Sequence, residues 1–429
     1  MSILAVALAS FLPTLVIHLS GWPTGWRTIG NWLHREALDD SWRPIRDALH
    51  YLADHGPAGL YEQTYWHSSH QFIYSPLSIV FYKVTNFPPF LEWLYGYSLN
   101  RFSWWIVLAT VAITPLVFEA LARRVNPDAG PTSTTDCIAK LVVGVIATLT
   151  FYPIMYAYSI GQIQTWLNFL LILSLLLWLR DYRFPAGMAV GLVCTIKPNL
   201  SLILLWALLR REHHFAIGFL GIVVPLALAS LLMFGLPVHL EYLKLMAFLS
   251  ERGEAFYSNH AINGLLNRMI FNGNNLEWDG THTQIHYVAW VHYATVISSL
   301  CIILPTFLRY RPSGAIGAWL DFAIALVSYT IASPVAYEIH FGYTLPIFFM
   351  VLCLLLQQPR PARLELWTIG ISYSLCANYL SPTQALAETH LNFLQSYMLA
   401  GTLLLLVLLY RLRSAAATPS PIPAVPARA

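Results

Sequence analysis

Charged residues are scarce in this sequence. Only 10% of its 429 residues are charged and 57% are hydrophobic, whereas a soluble domain carries about 25% charged residues. Apolar runs approaching the roughly 20 residues that cross a bilayer recur along the chain. No segment between them is long enough for a large soluble domain. The composition therefore argues against a soluble helical protein and predicts an all-α polytopic membrane protein.

Several functional motifs are also missing. The sequence has no CxxC pair, no HExxH, no Walker loop, no GxGxxG and no GxSxG, so metal, NTP, dinucleotide and esterase chemistry have no motif support. We expect no metal and no cofactor. The five cysteines predict no disulfide framework, and the net charge of +3 does not indicate a nucleic-acid partner. The five cysteines are Cys137, Cys194, Cys301, Cys353 and Cys376.

The apolar runs predict about 10–12 membrane helices. The first run has no basic segment before it, so we expect a retained span rather than a cleaved signal peptide. No internal repeat is visible. The runs cover approximately residues 3–20, 103–121, 137–155, 163–179, 185–196, 199–209, 215–235, 285–307, 317–333, 343–357, 365–380 and 393–410.

Two of these runs, 185–196 and 199–209, are too short to cross the hydrocarbon core untilted at 1.5 Å per residue. They flank Lys197-Pro198-Asn199, and proline ends a helix because it lacks a donor and clashes with the preceding turn. We therefore predict a helical hairpin, broken at these three residues, that enters and leaves the membrane on the same side.

Arginine clusters predict the orientation. When the runs between them are counted, every cluster falls on one side, which the positive-inside rule makes cytoplasmic. Both termini are then cytoplasmic, and long outer loops cover about 21–101 and 235–284. Residues 1–413 form one transmembrane domain, and the Ala-, Pro- and Ser-rich segment 414–429 is expected to be a disordered cytoplasmic tail. The clusters are Arg123-Arg124, Arg180 with Arg183, Arg210-Arg211, Arg309 with Arg311, Arg360 with Arg363, and Arg411 with Arg413.

An aspartate in the first outer loop is a candidate general base. Asp40 follows the first span, where a carboxylate could take a proton from a sugar hydroxyl at the membrane surface. A solvated loop acid is the alternative interpretation. Asp39 and Asp40 are adjacent and do not form a DxD motif, so a metal site has little support.

Three basic side chains are candidates for binding an anion. Lys197 lies between two apolar half-helices and must find an anion, reach water or lose its charge. A lipid phosphate would suit it, and extension to the lipid headgroups is the alternative. Arg268 carries a forked pair of donors suited to phosphate. His340 could orient phosphate or shuttle a proton, or could be an ordinary interfacial histidine.

Side-chain amides form a further group of candidates. Gln162 precedes the fourth run, and Asn199 lies in the hairpin break. Asn259 and Asn263 are one helical turn apart, so a helix there would present both on one face. A polar loop with a helix cap is the alternative interpretation of this pair.

Taken in chain order, the motifs of the outer segments resemble those of glycosyltransferase family 87. That family includes polyprenyl-phosphate-mannose-dependent α-1,2-mannosyltransferases. The resemblance extends from about Asp40 to His340. The sequence departs from the family pattern at Ser75, at His260-Ala261 and at Ile339. The matching segments are Asp40, Gly59-Leu60-Tyr61, Phe72-Ile73-Tyr74-Ser75-Pro76, Gly161-Gln162, Gly191 with Lys197-Pro198, Asn259 with Gly264 and Arg268, and Ser333-Pro334 with His340.

The resemblance implies a GT-C-type fold with a large first outer loop, in a bacterial cytoplasmic (inner) membrane with the active site facing outward. It implies transfer of a sugar, first of all mannose, from a polyprenyl-phosphate donor to a glycan or glycolipid hydroxyl, with inversion. A transporter or flippase for lipid-linked sugars is the alternative function, and it would need a site reachable from both faces. An inactive family member is a third possibility.

The resemblance also assigns residues. Asp40 matches the family's catalytic base, with Asp39 and Asp47 as alternatives. With the reasoning above, the expected donor-phosphate ligands are Lys197, Arg268 and His340. The expected substrate-binding residues are Tyr74, Gln162, Asn199, Asn259 and Asn263.

Overall fold

The computed structural model describes residues 3–85, 98–126, 133–278, 287–308, 314–358 and 362–417. These residues are mostly helical, and no β-strand occurs among them, which confirms the all-α polytopic membrane class. The helices are α1 (Ile3–Leu19), α2 (Trp26–His34), α3 (Trp42–His55), α4 (Pro76–Thr85), α5 (Ser98–Val125), α6 (Thr134–Thr150), α7 (Tyr152–Ser159), α8 (Gln164–Leu179), α9 (Arg183–Ile196), α10 (Leu202–Leu209), α11 (His213–Arg252), α12 (Ile262–Ile270), α13 (Ala289–Phe307), α14 (Gly314–Ile331), α15 (Leu345–Gln357), α16 (Arg363–Ala377) and α17 (Tyr397–Ala417).

The described helices include both full-length spans and shorter apolar helices. By length and composition, six described helices can each cross a membrane, and a seventh span forms if α6 and α7, bent by 53°, count as one. The prediction was about ten to twelve membrane helices including the broken hairpin. The two short runs of that hairpin form the short helices α9 and α10, and α8 is also shorter than a full span.

The broken hairpin has the predicted form. α9 ends before Lys197, a 3₁₀ turn follows at Pro198–Leu200, and α10 then begins. Lys197 has φ −125° and ψ 104°, which is the extended conformation that a residue before proline prefers. The break therefore presents the Lys197 side chain at the point where the two short helices meet.

Glycines bring α9 close to α11 and so fix the position of the break. A Cβ on Gly187 would lie 2.0 Å from the carbonyl oxygen of Phe215, and one on Gly218 would lie 2.0 Å from that of Phe184. Both distances are far below van der Waals contact. A side chain at either glycine would push the two helices apart and displace the hairpin.

The two loops that were predicted to be outer contain helices. The first contains α2, α3, a π-helical turn at Glu62–Trp66 and α4. The second was expected from about residue 235, but α11 bends at Gly235, where φ is 72°, and continues to Arg252. At the C terminus α17 reaches Ala417. Residues 414–417 are therefore helical rather than part of a disordered tail, and 418–429 lie outside the described residues.

Ion pairs join the helix ends that carry arginine clusters. Arg124 at the end of α5 pairs with Asp181, just after α8. Arg210 and Arg413 both donate to the buried carboxylate of Asp321 in α14, at 2.6 and 2.5 Å. Because these ion pairs link the ends of different helices, they support the assignment of the arginine clusters to one side of the membrane. Three further predicted arginines lie outside the described residues: Arg309, Arg311 and Arg360.

Candidate functional site

Backbone hydrogen bonds attach the first outer loop to the turn before α8. The amides of Leu38, Asp40 and Ser41 donate in order to the carbonyl oxygens of residues 159–161, at 2.9, 3.1 and 3.2 Å. Gly161 has φ +67°, and a Cβ there would lie 1.8 Å from the carbonyl oxygen of Leu38. Only glycine fits this conformation and this close approach. Gly161 therefore positions the segment that carries Asp40.

The Asp40 carboxylate is accessible but confined. Its side chain remains exposed, and the Gln162 amide donates a 2.5 Å hydrogen bond to Oδ2. Surrounding protein desolvates the carboxylate and raises its pKa above the usual 3.8, whereas the Gln162 hydrogen bond and the charge of Lys197 act in the opposite direction. A raised pKa makes a carboxylate a stronger base, and its accessible oxygen can receive a hydroxyl proton.

The two alternative aspartates contact other side chains. Asp39 forms an ion pair with Arg46 at 2.7 Å, and Asp47 lies 3.3 Å from the His70 ring. Both side chains are more than 40% exposed at the protein surface. The geometry therefore favours Asp40 as the candidate base.

Tyr74 connects the first outer loop with the hairpin. Its hydroxyl lies 2.6 Å from Ser41 Oγ, and its ring centroid is 6.0 Å from Lys197 Nζ. The next residue, Ser75, donates its amide to the carbonyl oxygen of Ile196 at 3.5 Å. Only 2% of Tyr74 is exposed, and burial raises its pKa. Contrary to its predicted substrate-binding role, the neutral Tyr74 hydroxyl organises the loop.

Lys197 and His340 face each other through their side-chain nitrogens. Lys197 Nζ lies 3.1 Å from Gln164 Oε1 and 3.1 Å from His340 Nε2. The other ring nitrogen, Nδ1, accepts a 2.8 Å hydrogen bond from the amide of Tyr337, so the imidazole proton is on Nε2. An ammonium group has only donors. With Lys197 charged, both groups therefore present N–H donors to an acceptor placed beside them.

Gln164 is a site residue that the sequence analysis missed. Its carbonyl accepts from Lys197, and its Nε2 donates to Asn168 Oδ1 at 3.3 Å. Asn168 in turn donates to the carbonyl oxygen of Ile339 at 2.9 Å. Two amides four residues apart in an otherwise apolar helix were the available signal. The predicted Asn199 is exposed and lines a small pocket with Lys197.

The two asparagines of the second outer loop are structural. Asn259 lies before α12 rather than on a shared helix face, and its amide donates to the carbonyl oxygens of Glu254 and Pro334, both at 3.2 Å. Asn263 accepts from the Glu254 amide at 3.2 Å and donates to Thr295 Oγ1 at 3.2 Å. Both side chains are fully buried. The structure therefore does not support the predicted substrate contacts of Asn259 and Asn263.

Arg268 is also buried and engaged. Its terminal nitrogens donate to the carbonyl oxygens of Phe256 and Asn259, each at 2.7 Å, and to Ser396 Oγ at 2.5 Å. None of its surface is exposed, and burial lowers its pKa to about 10, so it remains a cation at neutral pH. The predicted phosphate contact is not supported, because the guanidinium holds the second outer loop together instead.

A second buried group of ionisable residues lies next to this loop. His260 Nε2 is 3.6 Å from Glu338 Oε1, and Ser258 donates to the same carboxylate. Burial lowers the pKa of His260, so its ring is neutral at pH 7. Within the described ranges, no three His, Cys, Asp or Glu side chains are grouped as metal ligands. Metal independence stays a prediction.

The described site lies where the first outer loop meets the broken hairpin of a polytopic membrane protein, and it joins a candidate base to a pair of N–H donors. These features are those of a group-transfer enzyme acting at a membrane. The chain belongs to glycosyltransferase family 87, whose family profile matches residues 72–334, more than half of its length. It is therefore a membrane glycosyltransferase. No curated protein and no solved structure matches it.

The matched segment does not include every site residue. Gln162 and Lys197 lie within 72–334, but Asp40 precedes this range and His340 follows it. Asp40 accepts a hydrogen bond from Gln162, and His340 Nε2 lies 3.1 Å from Lys197 Nζ, so both residues contact the matched segment. The assignment of Asp40 and His340 to one site therefore depends on the structure.

Proposed function

We propose that this glycosyltransferase has a GT-C-type fold and transfers mannose from a polyprenyl-phosphate donor to a glycan or glycolipid hydroxyl. The reaction would take place at the outer face of a bacterial cytoplasmic membrane. One observation carries the proposal: the Asp40 carboxylate and the Lys197–His340 pair lie at one junction between the first outer loop and the broken hairpin. A base and an anion site are the two groups that a direct displacement from a glycosyl phosphate needs.

In the proposed reaction, the acceptor hydroxyl oxygen attacks the anomeric carbon of the donor as Asp40 takes its proton. The new carbon–oxygen bond forms while the bond from the anomeric carbon to phosphate breaks, and its electron pair goes to the phosphate oxygen. The products are an inverted glycoside, a polyprenyl phosphate and protonated Asp40. The Gln162 hydrogen bond orients the carboxylate for this step. A general base contributes about 10²–10⁴ in rate.

The leaving phosphate gains negative charge in this step. Lys197 and the Nε2–H of His340 are placed to donate to its oxygens, since neither donor finds its acceptor in the other when Lys197 is charged. Such donors are most effective where water is excluded. Gln164 holds the lysine through its carbonyl oxygen. The short helices α9 and α10 would guide the prenyl chain toward the site.

The donor class is tested by transfer with purified full-length protein. Polyprenyl-phosphate mannose, glucose and arabinofuranose are supplied with n-octyl α-D-mannoside as acceptor, and GDP-mannose serves as the matched soluble donor. We expect a glycosylated acceptor from polyprenyl-phosphate mannose and none from GDP-mannose. Transfer from GDP-mannose alone would contradict the proposal. Movement of an unreacted lipid-linked sugar across a proteoliposome membrane would favour a transporter.

The orientation is tested by cysteine labelling in sealed cells. The exposed Cys137 and Cys301 are first replaced by alanine, and then Ser69→Cys and Ser414→Cys are made singly. Both serines are exposed. A membrane-impermeant thiol reagent should label the first variant and not the second. Labelling of the second alone would reverse the proposed orientation.

A further inference from the structure

A large cleft lies beside Asp40, and the proposed displacement by Asp40 and the Lys197–His340 pair gives it no role. Its volume is about 1280 Å³, whereas small-molecule pockets are typically about 300–1,000 Å³. Leu38 and Ile160 line it, and the carbonyl oxygen of Ile160 accepts from the Asp40 amide at 3.1 Å. The cleft therefore borders the same backbone segment that positions the candidate base.

Aromatic rings form much of the cleft wall. Tyr152 stacks between Tyr156 and Tyr379, with ring centroids 4.8 and 5.1 Å away and interplanar angles of 14° and 20°. Trp104 and Trp105 also line it, and Trp105 is 59% exposed. The apolar C–H face of a sugar ring packs well on an exposed aromatic ring such as that of Trp105, because its flat surface is rigid and hydrophobic.

The cleft also carries positive charge. Arg27, Arg35 and Arg101 line it against one acid, Glu36, and all three arginines are exposed. No carboxylate of the described residues forms an ion pair with any of them. The Arg35 guanidinium lies 4.9 Å from the ring centroid of Trp104. Arginine is well suited to bind phosphate with two parallel hydrogen bonds.

The cleft also approaches the base from its tyrosine wall. Tyr156 lines the cleft shortly before residues 159–161, whose carbonyl oxygens accept from the backbone that carries Asp40. An acceptor that fills the cleft would lie near the segment that carries Asp40 and also contact the arginines. A ligand with sugar rings and an anionic group matches both features, whereas a purely apolar ligand would leave the arginines unused.

We propose that this cleft binds the acceptor, and that the acceptor is a carbohydrate bearing a phosphate group held by Arg35 and Arg101. This inference rests on the proposed function, because it takes Asp40 as the base that meets the acceptor hydroxyl. Aromatic stacking orients the sugar, and the arginines select the anionic form.

The test is calorimetric binding to the purified full-length protein, without turnover. The probes are n-octyl α-D-mannoside, its 6-phosphate, and dihexanoyl phosphatidylglycerol, which carries a phosphate but no sugar ring. We expect the phosphorylated glycoside to bind about tenfold more tightly than the neutral one, as a charge-assisted hydrogen bond would give. Arg35→Gln and Arg101→Gln should each remove most of this difference and leave the neutral glycoside unchanged.

Arg43→Gln is the matched control, because Arg43 is an exposed arginine of the same loop that does not line the cleft. It should not alter either affinity. Equal binding of the two glycosides, or no effect of Arg35→Gln and Arg101→Gln, would overturn the proposal. Phosphatidylglycerol binding as tight as that of the phosphorylated glycoside would assign the cleft to lipid headgroups and overturn it as well.

A second probe separates this inference from the proposed function. Farnesyl phosphate represents the donor's prenyl phosphate and should bind wild type, Arg35→Gln and Arg101→Gln equally. If wild type does not bind it while the glycoside results hold, the proposed donor is wrong and the assignment of the cleft stands. If farnesyl phosphate binds as expected and the glycosides show no discrimination, only the cleft assignment fails.

Discussion

Lys197 Nζ and His340 Nε2 lie 3.1 Å apart, although the proton of His340 points toward the lysine. The tautomer follows from the 2.8 Å hydrogen bond that Tyr337 donates to Nδ1. An ammonium group cannot accept that proton. The two donors therefore do not satisfy each other, and an anion beside them would accept from both.

Lys197→Met should weaken binding of farnesyl phosphate without unfolding the protein. The substitution keeps much of the apolar stem of Lys197 and removes the positive charge that we propose binds the donor phosphate. A loss of about tenfold or more is expected, as for a charge-assisted hydrogen bond. Calorimetric titration of purified protein gives the affinity.

The matched control is Lys244→Met, since Lys244 is an exposed lysine on α11 and should not alter the affinity. If Lys197→Met binds farnesyl phosphate as wild type does and melts normally, Lys197 extends to lipid headgroups instead.

Gly161→Ala should destabilise the junction between the first outer loop and α7. Alanine at φ +67° is strained, and its Cβ would overlap the carbonyl oxygen of Leu38. Strain and collision together cost on the order of 1–3 kcal/mol or more. Thermal unfolding and transfer activity are measured, and both should fall.

Gly221→Ala is the control, because nothing lies within 4 Å of a Cβ there and alanine favours a helix. Its melting temperature should be unchanged or raised. A Gly161→Ala protein with wild-type stability and activity would show that the loop adjusts at this contact.

The pH dependence of transfer should shift in opposite directions in two variants. A base must be deprotonated, so kcat/KM rises with pH through the pKa of Asp40. Gln162→Met removes a hydrogen bond that lowers this pKa, and the acid limb should move to higher pH. Asp39→Asn removes a charge that raises it, and the limb should move to lower pH.

Asp47→Asn should leave the acid limb in place, because Asp47 is not among the groups that shift the pKa of Asp40. Profiles of kcat/KM against pH for the three variants provide the comparison. Shifts of the same sign in Gln162→Met and Asp39→Asn would mean that another group titrates.

Part of the site was predictable from sequence because its chemistry leaves a local signal. Lys197 is a charge between two apolar segments, and the proline after it ends a helix. Gly161 and Gln162 belong to a segment that matches the family pattern, and the structure shows the close approach to Leu38 that requires glycine. Asp40 was identified only with two neighbours as alternatives. The ion pair of Asp39 with Arg46 separates them.

The remainder depends on tertiary contacts that sequence patterns do not contain. A polar residue beside an apolar run can be a ligand or a satisfied buried group, and both give the same local pattern. Asn263 and Arg268 are of the buried kind, as their backbone partners show. Gln164 was missed because its partner Lys197 is 33 residues away.

The most direct test of the account is transfer by Asp40→Asn compared with Asp39→Asn and Asp47→Asn. Asparagine keeps the shape of aspartate and removes the proton acceptor. Initial rates with saturating polyprenyl-phosphate mannose are measured together with farnesyl phosphate affinity. Asp40→Asn should bind farnesyl phosphate normally and lose on the order of 10² or more in turnover, while the other two lose much less. Wild-type turnover by Asp40→Asn would contradict the account at its central residue.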